Sequence, residues 1–333
     1  MNNRKLFALS YFLGRTFFLG FGFSYLMHFV GTDAWISSII GIGIGSLFLW
    51  LFLKLKERNP KEDNKLTQII PTILFLVFNI FIYSQVLFIF QTFASAFFLI
   101  KSPIYFIALP IPFIIYRICK NGITSIAKVA EILVPISILL FFLGVLGLIP
   151  SFQLDSFTPV FNTSISNIII GSLYFATFST TPYFLLYDYK TNQKSFFLSY
   201  LFSCLTVLVV CIMIIAALGP NLIEIYRFPE YMVLKKIKLF HFIEKVENII
   251  SITWLFDLFT VLAIAGNNIK NCLPKKKKNF WFILLLIILH ILMIAISINY
   301  QEELMLYQIL PIVLGIIEII LGMIFYLFPK KST

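Results

Sequence analysis

The chain alternates between long apolar runs and short polar or charged breaks, and the runs have the length that a bilayer demands. At roughly 20 residues per crossing, ten runs predict membrane helices: 6–28, 33–53, 71–99, 103–118, 125–149, 166–187, 196–218, 243–269, 280–298 and 304–328. The predicted fold is an all-α integral membrane protein, since a lone helix satisfies its own backbone in hydrocarbon. The ten spans form a single membrane domain that divides at about residue 165, with repeat one at 6–150 and repeat two at 166–328. Five is odd, so the second half must enter the membrane from the opposite side. Two inverted five-helix repeats are the outcome, an arrangement whose binding sites form where the first helix of each half is unwound.

Those two helices carry interruptions at similar depth. Span 1 holds Gly14-Arg15-Thr16 and then Gly20-Phe21-Gly22; span 6 holds Phe178-Ser179-Thr180-Thr181-Pro182. Glycine and proline release backbone groups that must face protein or water. Freed amides and carbonyls there can hold the carboxylate and ammonium of a small zwitterion. Gly14, Arg15, Thr16, Gly20, Phe178, Ser179, Thr180 and Thr181 are therefore the candidate ligand-binding residues. Glycines as plain packing surfaces are the alternative reading of each break alone.

Composition agrees with the pattern: 60% of residues are hydrophobic and only 12% charged, against about 25% charged in a soluble chain. The net charge of +11 does not point to nucleic acid, because the basic residues sit in short clusters between apolar runs. With the N-terminus inside, 19 of the 26 Lys and Arg residues fall in cytoplasmic stretches, so both termini are predicted cytoplasmic. The start is read as an uncleaved first helix rather than a signal peptide, since Arg15 interrupts it. Much of the remaining basic charge lies in one loop, 219–242. It reads either as a helical lid along the membrane surface or as a solvated loop.

Charges inside the spans narrow the chemistry. Arg15 lies near the midplane, where an unpaired charge costs about 2.5–3.5 kcal/mol on insertion scales. Its predicted partner is a ligand carboxylate or a structural carboxylate such as Glu318. Glu318 shares a stripe with Pro311, Gly315 and Gly322 that lets another helix approach, and it reads as an internal hydrogen-bond or ion-pair site, with a proton relay as the alternative. Asp257 is a gating or packing candidate, and Gln91, on one face with Ser84 and Ser95, a helix-bridging or cavity-wall group. His28 and His290 read as interfacial. Cys119, Cys204, Cys211 and Cys272 have no disulfide or metal spacing. No catalytic constellation occurs, so neither an enzyme nor a cofactor is predicted.

Three groups of residues, in order, resemble the B subunit of bacterial spore germinant receptors. They are Gly31-Thr32-Asp33-Ala34-Trp35-Ile36-Ser37; Lys120-Asn121-Gly122-Ile123 with Ala127-Lys128-Val129-Ala130-Glu131-Ile132 and Pro159-Val160; and Phe228-Pro229 with Phe242-Ile243-Glu244-Lys245-Val246-Glu247 and Trp254. The resemblance implies an amino acid–polyamine–organocation transporter-like fold. It also implies a nutrient sensor in the spore inner membrane that binds an amino acid-like ligand near helices 1 and 6, with an A subunit and a lipoprotein C subunit as partners. A secondary amino acid transporter on the same fold is the rival expectation, and a scaffold with a vestigial cavity is a third.

Overall fold

The computed structural model describes residues 2–19, 22–56, 65–99, 101–189, 192–223, 225–237, 246–275, 277–298 and 312–322. The described elements are helical, in chain order α1 (Asn3–Leu13), α2 (Gly22–Val30), α3 (Ala34–Lys56), α4 (Lys65–Phe97), α5 (Ile104–Ala108), α6 (Ile111–Lys120) and α7 (Ile123–Leu148). There follow α8 (Ile165–Thr180), α9 (Gln193–Leu218), α10 (Pro220–Ile223), α11 (Pro229–Leu234), α12 (Val246–Cys272), α13 (Lys278–Ile298) and a last helix, α14 (Ile312–Gly322).

Seven helical runs among the described residues are long and apolar enough to cross a membrane: Gly22–Lys54, Pro71–Phe97, Ile123–Ser151, Ile165–Leu186, Gln193–Leu218, Glu247–Cys272 and Lys278–Ile296. The protein is thus multi-pass. Among the described residues, two of the ten predicted runs are divided and one is described only in part. The first predicted span is cut after Leu13, and its second part, α2, runs on through a 3-10 turn at Gly31–Asp33 into α3. The fourth is cut at Pro110, which has no N–H to continue α5 and instead opens α6. The tenth is described only over Ile312–Gly322.

Two glycines set the corners. Gly31 (φ +62°) turns α2 into α3, and Gly122 (φ +74°) precedes α7; both lie in the left-handed region that residues with a Cβ rarely adopt. The helices then assemble around α1, which packs on α7, α9 and α12, while α3 lies along α8 and α4 along α12. Large apolar side chains such as Leu47, Ile132, Leu139, Phe142 and Ile169 point outward, as lipid-facing positions of membrane helices do. Many buried hydroxyls are satisfied within their own helices, for example Ser38 on Ala34 O, Thr92 on Phe88 O and Ser172 on Ile168 O.

Two polar clasps join elements far apart in sequence. Asn268 donates to Asn79 Oδ1 (2.9 Å) and to Leu185 O (2.8 Å), and Tyr189 OH donates to Asn268 Oδ1 (2.6 Å). This ties α4, α12 and the stretch after α8 together, as polar groups on membrane helices commonly do. Asp33, buried at the entrance to α3, accepts from Phe161 N (2.9 Å), Thr163 N (3.0 Å) and Thr163 Oγ1 (3.0 Å). His290, expected at an interface, is instead buried within α13, with Nδ1 2.7 Å from Leu286 O and its ring edge-on to Tyr83. His28 is exposed.

Candidate functional site

The α1 helix ends at Leu13, Thr16–Phe18 form a single 3-10 turn, and Leu19 is extended. Glycine is required at the break by a close approach rather than by a special φ. A Cβ on Gly14 would sit 2.5 Å from Ser203 Oγ and 3.0 Å from Tyr183 OH. Thr16 turns its hydroxyl back onto Phe12 O (2.8 Å). Gly20 lies outside the described residues.

Arg15 occupies the gap in the helix and is 8% exposed. Its Nη1 donates to Tyr11 OH (2.5 Å); its Nη2 donates to Ser137 Oγ (3.0 Å) and pairs with Asp257 Oδ1 (2.5 Å). The guanidinium also lies over the Tyr11 ring, 4.2 Å from its centroid, a favourable cation–π geometry. One residue thus ties the break in α1 to α7 and α12. The partner is Asp257, not the Glu318 named among the expectations. Arg15 Nε is buried and has no hydrogen-bond partner among the described residues.

Beside Arg15 lies a cavity of about 50 Å³. Arg15, Asp257 and Glu230 supply its charge, and Phe18, Phe23, Phe141, Val210, Met213 and Trp254 much of its apolar wall. Glu230, Val233 and Leu234 come from α11, whose residues Pro229, Glu230, Tyr231, Val233 and Leu234 are buried. Among its described residues the 219–242 loop therefore carries a short helix sunk onto the cavity. Tyr231 fixes it by donating to Asn248 Oδ1 (2.6 Å) and by stacking on Phe97. Burial and the Glu247 carboxylate hold the Tyr231 phenol above its ordinary pKa.

The second interruption is of another kind. At Thr180 α8 passes into a 3-10 stretch, Thr181–Leu186, with Pro182 at its start. Ser179 Oγ is 3.0 Å from Tyr200 OH. Thr180 and Thr181 both donate to Glu318 Oε1, at 2.9 and 2.5 Å, and each also lies 2.8 Å from the carbonyl four residues back, Ala176 O and Thr177 O. Phe178 packs against Phe17 and Phe18, with centroids 6.4 and 6.1 Å apart. The space between the two breaks is therefore filled by aromatic rings. The cavity is bounded by α7, α9, α11 and α12, and Phe178 to Thr181 do not line it.

A family model described as spore germination protein matches residues 9–301. The chain belongs to the spore germination protein family. It is also similar to a Bacillus subtilis (strain 168) protein named "Putative spore germination protein YfkT", with 26% identity over 249 residues, covering 71% of this chain and 68% of that one. The match to the family takes in Arg15, Asp257, the cavity and both interruptions, and stops short of Glu318.

Among the remaining candidates, Gln91 is fully buried, and neither of its side-chain polar atoms has a partner among the described residues. Tyr11, Ser137 and Glu230 were not singled out from sequence. Tyr11 carried a signal, since it stands four positions before Arg15 and so on the same helix face. Glu230 stood in a loop read for its lysines. Ser137 is a single hydroxyl in an apolar run and gave no cue.

Proposed function

We propose that this chain is the ligand-sensing membrane subunit of a germinant receptor. A small amino acid-like molecule occupies the cavity beside Arg15, and its binding is read out by A-type and lipoprotein C-type partner subunits in the spore inner membrane, with both chain termini cytoplasmic. The observation that carries this reading is the guanidinium in the helix break. Three groups of the protein already hold it, its Nε is buried without a hydrogen-bond partner among the described residues, and the residue lines a cavity.

In this reading a ligand carboxylate accepts from Arg15 Nε, the Glu230 carboxylate faces the ligand's ammonium, and Gly14 and Thr16 shape the break. At about 50 Å³ the cavity is smaller than the ~150 Å³ void that admits benzene, so α11 must withdraw for anything but the smallest ligand. A ligand that binds the form with α11 displaced shifts the population toward that form. Phe178, Ser179, Thr180 and Thr181 take part through the movement of α8 rather than by contact in this state.

A secondary amino acid transporter is the second reading, favoured by the interruption of both α1 and α8. The test is binding of radiolabelled amino acids to the purified chain, compared with the Val210→Trp variant, which fills the cavity from α9. Saturable binding lost in V210W, with no uptake into vesicles containing the chain alone, supports the receptor. Concentrative uptake into those vesicles moves the assignment to the transporter, and binding unaffected by V210W removes the cavity from the proposal.

A further inference from the structure

A second, larger concavity of about 370 Å³ lies between α7 and α12, away from Arg15. Its walls are mostly apolar: Leu133 of α7 faces Phe256 and Phe259 of α12. One end is different. There Asn121, Ser125 and Lys128 line it, at the start of α7. From Ser125 to Leu133 the groove follows α7 for roughly 12 Å at 1.5 Å per residue.

The charge at that end is of one sign. Lys128 and Lys120 are exposed, as is Arg117 one turn before the end of α6. Lys270, near the C-terminal end of α12, donates to Cys119 O (3.0 Å), which brings that cation to the same end of the bundle. Glu131, one turn beyond Lys128, does not line the groove. The positive pole of α7 points the same way. An apolar slot between membrane helices, open at a basic end that also offers the Asn121 and Ser125 side chains, matches one ligand chemistry: an acyl chain with a phosphate at its head.

We propose that the groove between α7 and α12 is a binding site for an anionic phospholipid, with one acyl chain along Leu133, Phe256 and Phe259 and the phosphate at Lys128, Ser125 and Asn121. A helix of a partner subunit would fit an apolar groove but gives no account of the lysine-bearing end, so the lipid is the occupant assigned. The site is separate from the Arg15 cavity and holds whether or not that cavity binds a nutrient.

The test uses the full chain purified in detergent and exposed to phosphatidylglycerol and phosphatidylcholine of identical acyl chains, with retained lipid counted by native mass spectrometry. Phosphatidylglycerol should be retained in preference. Lys128→Gln should lower the preference by about fivefold, the weight of one lysine at an anionic surface. Val129→Trp, at an exposed position on the groove wall, should reduce retention of both lipids. Equal retention of the two lipids by the parent chain overturns the proposal, as does an unchanged preference in K128Q. A photo-crosslinker at position 129 that captures a protein subunit in native membranes, instead of phospholipid, overturns it in favour of a subunit interface.

Discussion

Arg15 Nη2 and Asp257 Oδ1 lie 2.5 Å apart, joining the interrupted first helix to the middle of α12 across 242 positions of sequence. Both groups are buried, so each is the condition for the other's charge. Removing one partner of such a pair costs about 3–5 kcal/mol, because the survivor is left uncompensated. Asp257→Asn and Arg15→Gln should each lower thermal stability in detergent strongly. The double variant should be less damaged than the sum of the two, and strict additivity in that cycle would show that the pair is not coupled.

Gly14 gives a prediction with a built-in rescue. An alanine there brings its Cβ to 2.5 Å from Ser203 Oγ, and overpacking of this kind costs about 1–3 kcal/mol. Gly14→Ala should be destabilised in a melting experiment, and adding Ser203→Gly should recover much of the loss. A double variant no better than G14A would place the conflict elsewhere.

Along α3 two nearby glycines should behave oppositely. A Cβ on Gly41 would meet Ser172 O at 2.8 Å and Phe175 Cβ at 2.7 Å, whereas on Gly43 it meets nothing within 4 Å. Gly41→Ala should loosen the packing of α3 on α8 and lower the yield of folded protein. Gly43→Ala should be silent or mildly stabilising, by up to about 1 kcal/mol from helix propensity. Comparing the two melting curves checks both.

Glu318 and Asp257 are both buried carboxylates, but their removal should not be equal. Without Glu318, the hydroxyls of Thr180 and Thr181 can still donate to Ala176 O and Thr177 O, each 2.8 Å away. Glu318→Leu should therefore cost about 1–2 kcal/mol, in the range of ordinary hydrogen bonds, and less than Asp257→Leu. A larger loss for E318L, read by the same melts, would mean that the last turn of α8 depends on the carboxylate itself.

Asp33 uses both oxygens as acceptors, toward Phe161 N on one side and Thr163 N and Oγ1 on the other. Asparagine must aim its NH₂ at a backbone N–H on one side or the other. Asp33→Asn should thus be nearly as harmful as Asp33→Ala, with increased proteolysis in the 158–163 connection as the readout. A D33N chain as resistant as the parent would contradict the double-acceptor geometry.

What was legible in the sequence and what was not divide along the range of the interactions. The ends of α1 and α8 could be read because Gly14 and Pro182 act within a turn of themselves. Pro110 acts just as locally, yet the apolar run around it hid the cut between α5 and α6. The partners of Arg15 and Glu318 could not be read. Each is a long-range pairing that depends on which helices become neighbours, and two buried carboxylates are interchangeable until the packing is known. His290 was misplaced for a related reason: its distance from the helix end says nothing about which neighbour covers it. Glu230 was hidden by its lysine-rich surroundings, although α11 turns its apolar side and that carboxylate inward together.

The Asp33 clasp fixes which parts of the molecule can travel. It fastens the 158–163 connection to the entrance of α3, and α3 is also the helix along which α8 lies. Held by a shared anchor and a shared interface, α3 and α8 behave as one lever arm, and neither can swing without the other. In the reading proposed above, the freedom to open the cavity then falls to α11, which belongs to neither arm, while the Arg15–Asp257 link keeps α1 and α12 closed behind it.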